Sequence, residues 1–137
     1  MISLSAQYAL RAILHIARDG RAHTADDIAN LTGIPRGYLA KILNQLQRAG
    51  LIQAQRGFNG GYRFARDSEL VNALEVVRAI DTVPSFIACT QCHATKAGGA
   101  CGALAFLAET SAECERRFRQ TTLAQLLAGC TPAAQPS

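Results

Sequence analysis

The chain has no uninterrupted apolar run long enough to span a bilayer, although nearly half of its residues are hydrophobic. A membrane partner is therefore not expected. The opening stretch MISLSAQYALRAIL has helical periodicity and no small-residue cleavage site after an apolar block. It does not read as a signal peptide, and a cytoplasmic protein is expected. No acid–base pair and no nucleophile–base constellation is legible, so an enzyme is not expected. Internal repeats are also missing. The most informative absence is local: between Ile28 and Arg66 there is no Asp or Glu, while Arg36, Lys41, Arg48, Arg56, Arg63 and Arg66 all fall there. The formal charge of the whole chain is only +4, so its cations are concentrated rather than spread. Clustering of one sign favours a polyanion over an acidic small molecule as partner.

What is present is organised around Ile34 to Ala49, IPRGYLAKILNQLQRA. Pro35 suits a first helical position, where the missing N–H costs nothing. Leu39, Ile42, Leu43 and Leu46 recur at three- and four-residue steps and form one apolar stripe. Arg36, Lys41, Asn44, Gln45 and Arg48 fall largely outside it. Gly50 is placed for a left-handed C-cap. Alone, an amphipathic basic helix reads equally as a solvated surface helix; its neighbours shift the balance. A helix over Leu4–Arg18 precedes it, with Ser5 as candidate N-cap and Tyr8, Ala9, Ala12, Ile13, Ile16 and Ala17 on one face. Thr24 to Asp27 has capping-box spacing and predicts a short helix over Ala25–Leu31, then a tight turn at Thr32-Gly33-Ile34. Helix, glycine-containing turn and second helix are the grammar of a helix-turn-helix.

After Gly50, Leu51–Arg56 reads as a strand, Gly57–Gly61 as a turn with Asn59-Gly60 the hairpin signal, and Tyr62–Ala65 as the return strand. This hairpin is a candidate wing, with Arg56 and Arg63 at its two bases for phosphate or minor-groove contact. Asn72 and Glu75 open a further helix to about Ile80, burying Leu74, Val77 and Ile80. Periodicity vanishes from Thr82 to Ala100, a length of loop that is usually functional or disordered. It resumes over Ala103–Arg119, where Leu104, Leu107, Ser111, Cys114 and Phe118 fall at heptad-like spacing, a candidate dimer face. Thr122 is the expected cap of a last helix, Leu123–Ala128, and the Pro/Ala-rich tail Thr131–Ser137 reads as disordered. His15 and His23 read as lone structural or surface histidines.

At 137 residues the chain is one domain's worth. The expected organisation is a winged helix-turn-helix over residues 1–66, a loop and dimerisation helix over 67–128, and a tail over 129–137. The fold class is mainly α with a small β-hairpin wing.

Five cysteines in a cytoplasmic chain point to metal or redox chemistry rather than a disulfide scaffold. Cys89, Cys92, His93 and Cys101 give the spacing C-x2-C-H-x7-C. Covalent c-type haem would need export. Structural zinc wants a closed ligand set, and His93 directly after Cys92 makes joint ligation awkward. An iron–sulfur cluster on three thiolates is the third reading, with Cys101 favoured as thiolate at a helix start. Plain reduced thiols are the fourth. Spacing alone leaves cluster, zinc and plain thiols open.

The run Arg36-Gly-Tyr-Leu-Ala-Lys-Ile-Leu-Asn-Gln-Leu-Gln-Arg-Ala-Gly50, followed by Arg56-Gly-Phe-Asn-Gly-Gly61, resembles the Rrf-two family of bacterial winged-helix regulators, of the IscR and NsrR type. Leu4-Ser5, Tyr8-Ala-Leu-Arg11 and Thr122-Leu-Ala-Gln-Leu-Leu127 extend the resemblance from Met1 to about Ala128. The Leu-x-Lys-Ile-x-Asn-Gln-Leu run is most similar to the nitric-oxide-sensing NsrR branch. The resemblance implies a homodimeric DNA-binding repressor or activator; a repressor on a palindromic operator is the expectation. It also implies a [2Fe–2S] or [4Fe–4S] cluster on Cys89, Cys92 and Cys101 that responds to nitric oxide, redox state or iron. The middle cysteine is displaced from the family's even spacing. Gln7 stands where that branch can use a carboxylate, and Leu104 where other members use a histidine, so the candidate fourth ligands are Gln7 and His93. The candidate DNA contacts are Arg36, Gly37, Tyr38, Lys41, Arg48, Arg56, Asn59, Gly60 and Arg63. The alternative is a winged-helix regulator without a cluster, sensing through cysteine oxidation or zinc; a protein–protein adaptor on the same scaffold is a third expectation.

Overall fold

A computed structural model describes residues 2–81 and 102–129. The elements in order are α1 (Leu4–Ala17), α2 (Ala25–Thr32), α3 (Arg36–Arg48), β1 (Ile52–Gln55), β2 (Gly61–Phe64), α4 (Ala73–Ile80), α5 (Gly102–Gln120) and α6 (Leu123–Gly129). The loop expected over Thr82–Ala100 and the tail expected over Thr131–Ser137 lie outside the described residues.

Helix α1 starts at Leu4 as expected, but its cap is not Ser5. Its N-cap is Ser3, whose hydroxyl oxygen accepts from the Ala6 N–H at 3.1 Å and whose O–H donates to Asp81 Oδ1 at 2.8 Å. Ser5 lies inside the first turn, where it caps nothing. Ala6, Ala9, Ala12, Ile13 and Ile16 are fully buried along one stripe. In α2 the Thr24 hydroxyl accepts from the Asp27 N–H at 3.1 Å, the first half of a capping box. Gly33, at φ +71°, stops the helix and donates to the Ala29 carbonyl.

Pro35 is the N-cap of α3 rather than its first helical residue. Its φ of −58° suits a helix, but its ψ of 136° is extended, so the helix begins at Arg36. Leu39, Ile42, Leu43 and Leu46 are at most 1% exposed, each stabilising the fold by about 1.5–3 kcal/mol. The end of α3 is a Schellman motif. Gly50, at φ +75°, donates to Gln47 O, and Leu51 donates to Leu46 O at 3.1 Å. Leu51 is itself buried, so the chain passes from helix to wing without a slack residue.

Strands β1 and β2 pair antiparallel from Ile52↔Phe64 to Gln55↔Gly61. The turn between them is not the Asn-Gly turn expected. Gly60 N–H donates to Gly57 O at 2.9 Å, which puts Phe58 and Asn59 at the centre of the turn. The positive φ values fall at Gly57 and Gly61 instead of Asn59 and Gly60. Gly61 is required by contact as well as by conformation. A Cβ there would lie 2.4 Å from the His23 carbonyl oxygen, because His23 and Tyr62 exchange both backbone hydrogen bonds, at 2.7 and 2.9 Å.

Asn72 and Glu75 form a complete capping box at the head of α4. Leu74 and Val77 are buried as expected, joined by Ala73 and Val76, whereas Ile80 is only half-buried at the helix end. Thr122 and Gln125 cap α6 reciprocally at 2.9 and 3.1 Å. Leu123 then returns to the core, donating to Val71 O. Helices α1 to α4, β1 and Leu123 enclose one apolar core with no buried polar residue among the described residues. Helix α5 lies against α4, yet not one of its 19 residues is buried. The architecture is a winged helix-turn-helix followed by a long helix.

Candidate nucleic-acid interface

Packing determines the outward face of α3. With the four apolar residues turned to the core, Arg36, Gly37, Tyr38, Lys41, Asn44 and Arg48 are exposed and Gln45 is half-buried. Tyr38 rests edge-on against Tyr8, ring centroids 6.1 Å apart. Arg11 lies 5.7 Å over the Tyr8 ring and donates to Thr32 O at 3.0 Å, so α1 braces the turn that leads into α3. Nothing lies within 4 Å of a Cβ built on Gly37, which leaves open surface at the N-terminal end of the helix.

The cations differ in what holds them. Arg36 is paired with Asp26 of α2 at 2.9 Å, and Arg66 with Glu75 at 2.8 Å. Lys41, Arg48, Arg56 and Arg63 are exposed, and among the described residues no carboxylate forms a salt bridge with them. Arg56 follows β1. Arg63 lies within β2 opposite Gln53, one residue inside the strand rather than at its base. Asn59 and Arg63 line an open hollow with Arg21 of the α1–α2 loop. Gly60 has a buttressing place: a Cβ there would sit 2.6 Å from Gln55 O.

Three features escaped sequence reading. Asp26 as a partner of Arg36 was hidden because the pair joins two helices across a turn. Arg21 joins the wing only through the His23–Tyr62 bridge. Phe58, in a turn read for its glycines, is fully exposed. The histidines are not lone: the His15 and His23 rings meet edge-on at 4.9 Å, and His23 Nε2 lies 2.8 Å from Asp19 Oδ1. His15 Nε2 is buried and finds no hydrogen-bond partner among the described residues. Burial, then the neighbouring His23 and Arg18, hold the His15 pKa below its ordinary value.

On α5, Leu104, Leu107, Ser111 and Phe118 are half-buried and Cys114 is exposed. Glu115 takes the next place along that stripe, where it accepts from Arg78 of α4 at 3.1 Å. Cys114 is a free thiol. The candidate ligands Cys89, Cys92, His93 and Cys101 lie outside the described residues. Gln7 is exposed, its amide nitrogen donating to Ile2 O at 3.4 Å. Among the described residues no three His, Cys, Asp or Glu side chains converge as a metal site, and no helix is long and apolar enough to cross a membrane.

Residues 2–129 match the Rrf2 family, described as iron-dependent transcriptional regulator. The chain belongs to the Rrf2 family. Solved structures share the fold of this Rrf2 chain. IscR from T. potens matches at 21% identity with a TM-score of 0.75, over 100% of this chain and 93% of its own. The oxidized form of CymR from Staphylococcus aureus matches at 21% and 0.75, over 96% and 99%. CymR (YrzC), the global cysteine regulator of B. subtilis, matches at 20% and 0.73, over 96% and 98%. The Rrf2 family and these neighbours are transcriptional regulators with a DNA-binding winged helix, not enzymes.

Proposed function

We propose that this chain is a cytoplasmic homodimeric repressor that reads a palindromic operator with α3 and the wing. The observation that carries this reading is the outward face of α3 and the hairpin: exposed cations at Lys41, Arg48, Arg56 and Arg63 that no carboxylate pairs among the described residues, beside a helix N-terminus left open at Gly37. Arg36, Gly37 and Tyr38 meet base edges, as the N-terminal residues of a recognition helix do. Lys41 and Arg48 meet phosphate, and Arg56, Asn59, Gly60 and Arg63 place the wing in the neighbouring groove. A second copy supports α5. Its half-covered apolar stripe and exposed Phe106 leave a 19-residue helix with no buried residue in the single chain. A two-fold axis there sets the two recognition helices against half-sites about one helical turn or a multiple apart.

For the switch we propose Cys89, Cys92 and Cys101 as the thiolate ligands of an iron–sulfur cluster, with Gln7 of the partner copy or His93 completing the set. The donor chemistry fits, since thiolate is the preferred protein ligand of such clusters. When bound, the cluster supplies a centre sensitive to nitric oxide, oxidant or iron supply, as in the NsrR branch. The chain's own part is to connect the cysteine segment at Asp81 to the cap of α1 through Ser3. A regulator without a cluster, sensing by thiol oxidation or zinc, is the second reading; the exposed thiol of Cys114 and the fold shared with oxidized CymR favour it.

Two measurements test these readings. Duplexes selected from a random pool should bind with strong salt dependence, and Lys41→Ala should reduce the salt slope by about one unit without changing the preferred sequence. An unchanged slope removes Lys41 from the footprint, and no duplex binding refutes the regulator. Anaerobic iron and sulfide analysis should show a cluster that alanine at Cys89, Cys92 or Cys101 removes and alanine at Cys114 or Cys130 does not. Iron-free wild type, or equal loss in the controls, refutes the cluster and leaves the second reading.

A further inference from the structure

Phe58 occupies the apex of the wing with a relative exposure of 104%, the highest of any exposed large hydrophobic residue among the described residues. Among the described residues none shelters the ring, so it adds nothing to their core. The loop that carries it is nevertheless well held. Gly60 N–H closes the turn on Gly57 O at 2.9 Å. Gly60 itself lies so close to Gln55 O that no side chain fits. Behind the turn, Tyr62 ties β2 to His23 through both backbone hydrogen bonds. The ring is therefore displayed at a fixed height on a braced support.

The surroundings select the partner. Arg56 adjoins the turn and Arg63 lies within β2, both exposed and, among the described residues, in no salt bridge, and no acid occurs between Ile28 and Arg66. The occupant must present dense negative charge to the arginines and an apolar slot to the ring. A duplex offers both: phosphates along its backbone and, between unstacked base pairs, a flat apolar gap. We propose that Phe58 is an apolar wedge that enters a base step from the minor groove, kinks the duplex, and selects operators with a deformable step at that position. This rests on the wing lying against DNA, and adds which residue does the work there and what it reads. Pyrimidine–purine steps such as TA and CA/TG unstack most easily, so they are the steps that such a wedge would prefer.

The test uses the full chain and duplexes selected with it from a random pool. On a selected duplex, wild type should raise the fluorescence of 2-aminopurine at one step per half-site and shorten the end-to-end distance by energy transfer. Selected sequences should carry TA or CA/TG at a fixed distance from the dyad. Phe58→Ala should bind with the same salt slope but lose the fluorescence rise, the bend and the step preference. Phe58→Leu should keep part of all three. Arg63→Ala should keep the bend and lower the salt slope by about one unit. A wild type that binds duplex without bending or unstacking it overturns the wedge and leaves the regulator standing, as does a Phe58→Ala variant that bends DNA like wild type. Loss of binding to phosphatidylserine vesicles in Phe58→Ala, with DNA bending unchanged, overturns it in favour of a lipid surface. Failure to select any duplex removes the wedge together with the regulator.

Discussion

Replacing Gly61 by alanine tests how the wing is attached. At φ +146° the residue lies in backbone space that is essentially glycine's, and an L side chain there costs about 1–3 kcal/mol. The added methyl would also sit 2.4 Å from His23 O and 2.5 Å from His23 C, and both are backbone atoms that cannot swing aside. Relief requires β2 to move off the α1–α2 loop, which opens the two hydrogen bonds between Tyr62 and His23. Each is worth about 0.5–1.5 kcal/mol net, or roughly 1–3 for the pair. Undocking avoids the overlap but not the φ strain, so the expected loss is about 2–6 kcal/mol. That is a large fraction of the roughly 5–15 kcal/mol typical of a domain. Gly57→Ala is the control: φ is +111°, but nothing lies within 4 Å of the new methyl. Urea midpoints and amide exchange at Tyr62 are the assays. Gly61→Ala should lower the midpoint and reduce Tyr62 protection at least about tenfold, and Gly57→Ala should leave Tyr62 protected. If Gly61→Ala leaves both quantities at wild-type values, the His23–Tyr62 bridge does not hold the wing and the reasoning is wrong.

Asp26→Asn should free Arg36 from its 2.9 Å pair and remove a negative charge near the proposed DNA face. Since exposed pairs are worth only about 0–1 kcal/mol, stability should barely change while duplex affinity and salt slope both rise; unchanged affinity would take Arg36 out of the interface. His15 should make the protein acid-sensitive. Its folded pKa lies below the ordinary 6.5, so the unfolded chain binds the proton more readily. Stability present above pH 6.5 should be lost as pH falls from there through the folded value. Burial sets this response first, His23 and Arg18 add to it and Asp19 and Asp27 oppose it, and a His15→Gln variant with an equally steep acid loss in urea titrations would clear His15 of the effect. Leu107→Asp places a charge on the half-buried stripe of α5 and should yield monomers by sedimentation that bind duplex poorly; a dimeric variant would locate the seam elsewhere.

The helical periods were legible because each helix buries one face against a single core. The stripe Leu39, Ile42, Leu43, Leu46 and the caps at Thr24, Asn72 and Thr122 all have local causes written within four residues. The misreadings share the opposite cause. Ser3 outcompetes Ser5 because Asp81, far along the chain, accepts its hydroxyl. The hairpin ignores Asn59-Gly60 because Gly61 must pass the His23 carbonyl, a contact between segments. His15 and His23 meet only when α1 and the following loop fold together. The family resemblance added the regulator and its cysteine ligands, which periodicity alone left open.

The junction at Gly50 and Leu51 has a further consequence. With Leu51 donating to Leu46 O and accepting from Ala65 N–H, the helix and the wing leave one joint at a set angle. On the proposed reading, with α3 in the major groove and the wing in the neighbouring minor groove, the two act as a caliper of fixed opening. An A-form duplex hides its major groove and widens its minor one, so the two jaws cannot close on it together. Discrimination between DNA and double-stranded RNA would then need no contact with a 2′-hydroxyl, because the two-residue joint already sets the gauge.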